Sequence, residues 1–209
     1  MSAISNGFVF LCPGQGAQTV GMGQTWVEFS PAAASVYQAA DEITSFGARR
    51  LSEFCFAGPQ EELNRTDISQ PALFTCGMAC HSALFEKHPA IVTVAANGLS
   101  LGEYTALCIA GAFSFADGLR LVATRGRLMQ QAAEASRGGM VALIGADETQ
   151  ANEVCAAAAK GEVLVPANFN APGQIVVSGS VSACDRAVEV AGTMEIGRAS
   201  CRERVCWIV

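Results

Sequence analysis

A serine held between two glycines, at the end of an apolar run, is the feature of this chain best suited to chemistry. The segment Val92–Phe113, VTVAANGLSLGEYTALCIAGAF, places Ser100 between Gly98 and Gly102. This Gly-x-Ser-x-Gly spacing is typical of a nucleophile elbow, a sharp strand-to-helix turn that exposes a serine hydroxyl. Glycines suit such a turn because the backbones pass close together and a Cβ would clash. The pattern predicts a nucleophilic serine; the alternative is a serine that only caps the following helix.

A second glycine-rich stretch, Pro13–Gln18, follows the first apolar run of the chain. It does not fit a dinucleotide fingerprint, because Thr19 stands where the third glycine belongs. It does not fit a phosphate-binding P-loop either, since no Gly-Lys-Ser/Thr follows. The remaining interpretation is that backbone amides of this loop form an oxyanion hole for acyl chemistry.

The composition indicates a folded protein with a sizeable core. Hydrophobic residues make up 51% of the 209 residues and charged residues 15%, which argues against disorder. The net charge of −6 argues against a nucleic-acid or anionic-membrane surface. No run is apolar enough to span a membrane, and no basic residue precedes the first apolar run, so we expect neither a membrane segment nor a signal peptide.

The nine cysteines are scattered and contain no Cys-x-x-Cys pair. Cys76 and Cys80 lie one helical turn apart, which could indicate a metal or redox pair. The favoured interpretation is small buried apolar residues in a reducing cytosol. We therefore expect a cytoplasmic protein without a metal site.

The elements that must position the serine alternate between strands and helices. Ala90–Asn97 is rich in β-branched residues and too apolar to alternate, which predicts a parallel strand buried on both faces. Ser30 before Pro31 is a strong helix start. The other predicted elements are a strand at Phe8–Cys12 and helices at Gly58–Asn64, Ile68–Lys87 with Pro71 in its first turn, Glu103–Ala110, and Phe115–Ala135 capped by Ser114.

From Gly138 onward the pattern predicts a small α+β unit. A strand and a helix are followed by two strands joined by a turn at Asn170–Gly173, and then by a helix after Ser180. This β-α-β-β-α order is most of a ferredoxin-like unit and lacks only its last strand. We therefore predict a large α/β domain over residues 1–135 and a small subdomain over residues 136–194.

The last fifteen residues, Glu195–Val209, differ in amino-acid composition from the rest of the chain. They contain three of the eleven arginines and two of the nine cysteines. Glu195–Val205 can be spelled in codons as a common sequencing-adapter sequence. We therefore predict that residues 195–209 are an adapter-like, non-native tail, and that the natural protein is cut short near Met194.

Six motifs in order make the chain similar to a known family. They are FVFLCPGQGAQTVGMG, TDISQPALFTCGMAC, GLSLGEYTAL, FADGLRLVATRGRLMQQA, GGMVALIG and ANFNAPGQIVVSG, within Phe8–Ala191. In order and spacing they resemble malonyl-CoA:acyl-carrier-protein transacylases. The resemblance implies an α/β-hydrolase-like large domain with a parallel sheet and a nucleophile elbow. It also implies a small ferredoxin-like subdomain, with the fold incomplete at the C-terminus.

The resemblance also assigns roles to residues. Ser100 would carry the malonyl group as an ester, and the backbone amides of Gln15 and Leu101 would hold the oxyanion. Arg125 would bind the malonyl carboxylate, since a guanidinium donates two parallel hydrogen bonds to a carboxylate. Arg120 and Arg127 share its helix, and spacing alone does not separate the three. Glu103, within GLSLGEYTAL, is interpreted as a structural acid at the helix N-terminus, where the helix dipole favours it.

The implied reaction moves malonyl from malonyl-CoA to the phosphopantetheine thiol of acyl carrier protein, for fatty-acid biosynthesis. No bound cofactor is implied, and the partners would be malonyl-CoA and acyl carrier protein. The complete protein would be a cytoplasmic monomer. Malonyl and methylmalonyl selectivity stay open, as does the choice between a discrete enzyme and a synthase module.

The catalytic base that the family requires is missing from this sequence. Its two histidines, His81 and His88, both precede the elbow, and each is interpreted as a partly exposed helix residue. Leu99 stands where many members have a non-catalytic histidine. We therefore predict an inactive, aggregation-prone chain. The alternatives are a serine hydrolase of the α/β-hydrolase type, or a non-catalytic remnant that binds carrier protein.

Overall fold

Two groups of elements, each with its own core, make up the structure. The computed structural model describes the backbone of residues 7–135 and 138–201, with side chains as far as residue 197. The first unit runs to Leu128 and the second starts at Met129. In the described part of the chain no helix has both the length and the apolar character needed to span a bilayer.

The first unit combines a parallel strand pair with a set of helices. Strands β1 (Gly7–Cys12) and β2 (Val92–Gly98) pair in parallel, with Cys12 opposite Gly98. Their carboxyl ends therefore meet at one edge, where the glycine-rich loop and the elbow begin. The helices are α1 (Gln24–Phe29), α2 (Pro31–Ile43), α3 (Leu51–Ala57), α4 (Gln60–Leu63), α5 (Thr66–Lys87), α6 (Leu101–Ile109) and α7 (Phe115–Ala135), of which α7 begins in this unit.

Several helix starts follow the predicted signals. Ser30 caps α2, since its side chain accepts a hydrogen bond from the Ala33 N–H, and Pro31 is the first helical residue. Ser114 accepts from the Asp117 N–H at the start of α7. Helix α5 begins at Thr66, two residues before the predicted start, so Pro71 lies in its second turn. Helices α1 and α3 were not predicted.

The core of the first unit lies among the helices. Leu51, Leu63, Phe74, Leu101 and Leu119 are fully buried there. Burying a side chain of this size contributes about 1.5–3 kcal/mol relative to leaving it exposed. Leu101 belongs both to this core and to the first turn of α6, so core packing holds the residue next to Ser100 in place.

The strand pair differs from the expectation that β2 is buried on both faces. Val92 and Val94 of β2 are 61% and 67% exposed, and Val9 and Leu11 of β1 are 60% and 79% exposed. The reason is that the sheet has only two strands among the described residues, so each strand has one neighbour and little covers its faces. The apolar composition of β2 therefore does not correspond to burial in this structure.

The second unit is an antiparallel sheet packed against two helices. Its strand order is β4-β5-β3-β6, which with the chain order β-α-β-β-α-β is the ferredoxin-like arrangement. Val141, Leu143, Val154 and Val177 are buried between sheet and helices. The elements are β3 (Gly138–Ile144), α8 (Glu148–Ala159), β4 (Leu164–Ala171), β5 (Gln174–Ser180), α9 (Val181–Thr193) and β6 (Gly197–Cys201).

Strand β6 was not expected, because the sequence predicted no element after Met194. Gly197–Cys201 pairs antiparallel with Met140–Ile144 of β3 and completes the ferredoxin-like order. The physical reason is that strand pairing uses backbone N–H and C=O groups, which every residue except proline supplies. Residues 202–209 of the predicted tail lie outside the described residues, and the origin of the tail stays a prediction.

Candidate active site

Ser100 sits on a tight turn between β2 and α6. Its backbone has φ 55° and ψ −106°, the left-handed side of φ that non-glycine residues rarely adopt. A Cβ added at Gly98 would lie 2.3 Å from the carbonyl carbon of Gly102, and one at Gly102 would lie 2.2 Å from the carbonyl oxygen of Cys12. Both positions therefore require glycine, and the turn has the shape that the Gly-x-Ser-x-Gly spacing predicted.

The glycine-rich loop after β1 approaches this turn closely. A Cβ at Gly14 would lie 3.0 Å from the carbonyl oxygen of Leu99. The Gln15 side chain donates a hydrogen bond from Nε2 to Thr66 Oγ1 at 3.1 Å, which anchors the loop to the start of α5. In the described part of the chain, neither the Gln15 N–H nor the Leu101 N–H makes a turn or cap bond. Both backbone donors proposed for an oxyanion hole thus remain available.

Arg125 of α7 reaches Ser100. Its Nη2 donates to Ser100 Oγ at 2.8 Å, and its Nη1 donates to Gln70 Oε1 at 2.6 Å. The guanidinium carbon lies 5.5 Å from the centre of the Tyr104 ring, within the range of a cation–π contact. Among the described residues no carboxylate forms an ion pair with Arg125. A half-buried guanidinium without an acidic partner is suited to an anionic ligand.

The structure separates the three arginines that spacing could not separate. Arg120 and Arg127 are exposed, and Arg120 pairs with Asp117 one turn earlier at 3.2 Å. Only Arg125, of these three, is hydrogen-bonded to the elbow serine. The adjacent Gly126 permits this approach, because a Cβ there would lie 2.7 Å from the carbonyl oxygen of Thr66.

Gln70 is a site residue that the sequence reasoning missed. It is fully buried in α5, and its side-chain oxygen accepts the hydrogen bond from Arg125 Nη1. A polar side chain inside an apolar helical stretch requires a partner, because burying an unpaired amide costs free energy. The sequence contains an indication of this buried polar residue in the SQPALF segment, where Gln70 directly precedes four apolar residues.

The histidines and the elbow glutamate are placed differently. His81 packs against the rings of Phe10 and Phe85, at 5.2 and 4.5 Å between ring centres, and burial lowers its pKa. His88 is exposed where α5 ends. In the part of the chain that the structure describes, neither histidine is hydrogen-bonded to Ser100. Glu103 is exposed in the first turn of α6, which agrees with a helix-dipole role.

A shallow hollow of about 290 Å³ lies between β2 and α6. It is lined by apolar and small residues together with Glu103, and neither Ser100 nor Arg125 contributes to its wall. We therefore do not assign this hollow to substrate. The candidate site therefore consists of the Ser100 hydroxyl, the Arg125 guanidinium and the backbone N–H groups of Gln15 and Leu101.

The strand–elbow–helix unit and the separate antiparallel sheet define the class of protein. The chain belongs to the family described as acyl transferase domain, which matches residues 9–202. Among curated relatives, the malonyl CoA-acyl carrier protein transacylase of Escherichia coli O157:H7 is 40% identical over 180 residues. These residues cover 86% of this chain and 57% of that relative.

Solved structures agree with this assignment. The malonyl CoA-acyl carrier protein transacylase from Clostridium perfringens has a TM-score of 0.84 at 35% identity, covering 95% of this chain and 61% of that chain. A type II PKS acyl-carrier protein in complex with its malonyl-transacylase gives a match with TM-score 0.84 at 33% identity. That match covers 95% of this chain and 63% of the other. The chain thus spans about three fifths of the length of these proteins.

Proposed function

We propose that the protein to which this chain belongs transfers a malonyl group from malonyl-CoA to the phosphopantetheine thiol of acyl carrier protein, as a cytoplasmic step of fatty-acid biosynthesis. The single observation that carries the proposal is the hydrogen bond between Arg125 Nη2 and Ser100 Oγ at 2.8 Å. It joins the serine of the elbow to a guanidinium that forms no ion pair with a described carboxylate. The names of the relatives support the same reaction.

The proposed first half-reaction forms an ester on Ser100. The Oγ attacks the thioester carbonyl of malonyl-CoA and gives its proton to a general base. The amides of Gln15 and Leu101 stabilise the tetrahedral oxyanion, and the CoA thiolate leaves. The second half-reaction repeats these steps with the phosphopantetheine thiol as nucleophile, which restores the free serine.

Arg125 supplies the substrate specificity in this proposal. Its planar guanidinium donates two parallel hydrogen bonds to the free carboxylate of the malonyl group, which an acetyl group lacks. The Gln70 bond to Nη1 sets the orientation of the guanidinium before substrate arrives. The Ser100 bond to Nη2 places the carboxylate site within reach of the attacking oxygen.

The general base is proposed to come from outside the 209 residues, because no histidine follows Ser100 in the sequence. Removing the base of a Ser-His system costs about 10⁶ in rate. Starting from a typical turnover of about 10 s⁻¹, acylation would then occur at about 10⁻⁵ s⁻¹. An ester on Ser100 would therefore accumulate only over about a day, and the chain would be inactive on the timescale of normal turnover.

The test is mass spectrometry of the chain after incubation with malonyl-CoA. We expect a malonyl adduct on the peptide containing Ser100, no adduct in Ser100→Ala, and at least about tenfold less in Arg125→Ala. The matched control is Arg120→Ala, which removes an exposed arginine from the same helix and should label normally. An adduct that persists in Ser100→Ala would contradict the proposal.

Two other outcomes separate the alternatives. Labelling by acetyl-CoA at the malonyl rate, with release of free acid, would favour a serine hydrolase. Binding of acyl carrier protein without any adduct would favour a non-catalytic binding protein.

A further inference from the structure

A pair of thiols on α5 forms a second reactive cluster, separate from the elbow. Cys76 and Cys80 are both half-buried residues of α5, and each thiol shifts the pKa of the other. Residues four apart on a helix lie on the same face, with Cβ atoms about 5–6 Å apart. The two thiols therefore lie next to each other on one face of α5.

Side chains from two other helices lie beside this pair. Tyr37 of α2 acts to lower the pKa of Cys76, and Trp26 of α1 acts to lower that of Cys80. The Tyr37 hydroxyl also donates to the carbonyl oxygen of Met22 at 3.1 Å, so its position is set independently of the thiols. Both sulfur atoms are thus kept on the side of α5 that meets α1 and α2.

The geometry does not favour a disulfide between these cysteines. A disulfide needs Cβ atoms about 3.5–4.5 Å apart, which is shorter than the spacing of about 5–6 Å along a helix. Closing the bond would distort α5. A single thiophilic atom that is larger than sulfur can bond to both sulfur atoms across this distance. The helix then does not have to move.

The two thiols suit a metal or metalloid atom that takes only two ligands from the protein. Among the described residues no group of three or more His, Cys, Asp or Glu side chains could hold a metal ion. A trivalent arsenic atom carrying one organic group needs two sulfur atoms to complete its coordination, and a pair of neighbouring thiols supplies them.

We propose that Cys76 and Cys80 form a dithiol site for trivalent organoarsenicals. An arsenoxide, R–As=O, forms one As–S bond with each cysteine, and the two thiol protons leave with the oxygen as water. Arsenic remains trivalent, so neither an oxidant nor a reductant is needed. The site goes beyond the proposed acyl transfer and uses none of its residues.

The protonation of Cys76 supports its selectivity over the other thiols. Interaction with Cys80 lowers the pKa of Cys76, whereas the same interaction and burial raise that of Cys80, so Cys76 is the thiol of the pair that ionises more readily. Burial instead raises the pKa of Cys12, Cys108 and Cys184, and raises that of Cys55 to about 12 and that of Cys155 to about 11.

The experiment titrates the full chain with phenylarsine oxide. Cys201→Ser and Cys206→Ser are introduced first, because the side chains of these two residues lie outside the described part of the chain. We expect one arsenic bound per chain and the loss of two titratable thiols. Cys76→Ser and Cys80→Ser should each weaken binding about 100-fold, because one thiol lacks the chelate advantage. Cys12→Ser, the matched half-buried control, should bind normally.

Peptide mapping of the adduct formed by the Cys201→Ser, Cys206→Ser chain provides a readout that does not depend on how the Cys76 and Cys80 variants fold. Trypsin releases Thr66–Lys87 as one peptide that contains both cysteines and no internal lysine or arginine. Arsenic on this peptide, with loss of one water per adduct, supports the site. Arsenic on another peptide, or unchanged affinity in folded Cys76→Ser or Cys80→Ser, overturns it.

Discussion

Ser100 holds a backbone conformation that glycine would adopt with less strain. Its φ of 55° with ψ −106° lies outside the common regions, and such strain costs of order 1–3 kcal/mol. We expect Ser100→Gly to be about 1 kcal/mol more stable than Ser100→Ala, after allowing for the greater chain entropy of glycine in the unfolded state. Urea unfolding of the two variants measures the difference.

Comparing these two variants isolates the free-energy cost of the backbone conformation at residue 100. Both lose the Ser100 hydroxyl and the hydrogen bond from Arg125, and they differ only in the Cβ. Equal stability of the two variants would show that the turn is unstrained. The expected result implies that a side chain at position 100 lowers the stability of the fold.

Gln70 should act by positioning Arg125. Replacing it by leucine leaves the guanidinium without its partner at Nη1, and a hydrogen bond to a charged group contributes about 1.5–3 kcal/mol. We expect Gln70→Leu to lower malonyl labelling of Ser100 by about 10- to 100-fold. The preference for labelling by malonyl-CoA over acetyl-CoA should also fall, because in the proposed reaction only the malonyl carboxylate binds the Arg125 guanidinium.

The control for this variant is Gln38→Leu, which replaces an exposed glutamine of α2 that bonds only to Glu42 four residues on. Labelling should be unchanged in that variant. Equal losses of malonyl and acetyl labelling in Gln70→Leu would point to a general packing defect instead.

At the scale of elements, the start of α2 depends on one buried hydroxyl. Ser30 is fully buried, accepts from the Ala33 N–H at 3.2 Å and donates to the Glu86 carboxylate of α5. Removing the cap and the hydrogen bond to Glu86 should destabilise Ser30→Ala by about 1–2 kcal/mol. Thermal unfolding with Ser35→Ala, an exposed serine of the same helix, as control checks this.

Glu162 makes the second unit sensitive to acid. Hydrogen bonds from Ser182, Arg186 and Ser180 hold the pKa of this carboxyl at about 2, below its usual value of 4.5. Because the folded pKa is the lower one, the stabilisation is fully present above about pH 4.5 and is lost as the pH falls towards 2. These contacts tie the start of α9 to the segment that follows α8.

We therefore expect Glu162→Gln to flatten the decline in stability between these two pH values. Circular dichroism of acid unfolding measures the effect, with Glu153→Gln, an exposed residue of α8, as the matched control. Parallel acid profiles for the original chain and Glu162→Gln would contradict the assignment.

For the whole molecule, the exposed apolar side chains of β1 and β2 predict self-association. Val9, Leu11, Val92 and Val94 are each at least 60% exposed on two strands that also have unpaired edges among the described residues. Such edges pair readily with other chains. We expect the double variant Leu11→Thr, Val94→Thr to lower the light-scattering mass, since it makes the strand surface more polar.

Val163→Thr is the control for this prediction, because Val163 is 71% exposed but belongs to the second unit. A monodisperse monomer for the original chain at high concentration would refute the prediction. So would an equal decrease in scattering for Val163→Thr.

Local sequence signals placed most of the elements, because caps, turns and glycine spacing act over a few residues. Ser30 and Pro31 started α2, Ser114 started α7, and the glycines around Ser100 marked the elbow. Helices α1 and α3 were missed because both are short and neither begins after a Ser, Thr, Asp or Asn cap, so no local start signal marks them. Strand β6 was missed because its pairing depends on the backbone of β3 rather than on its own composition.

By itself the sequence determined the elbow, most of the order of strands and helices, and the residue types available for acyl chemistry. Each of these depends on steric and hydrogen-bonding rules between near neighbours in the chain. Tertiary structure alone decided which of three arginines meets Ser100, that Gln70 holds it, and that β1 and β2 stay exposed. Those outcomes depend on how α5, α6 and α7 pack, and contacts between residues 25 to 55 positions apart leave no periodic trace in the sequence.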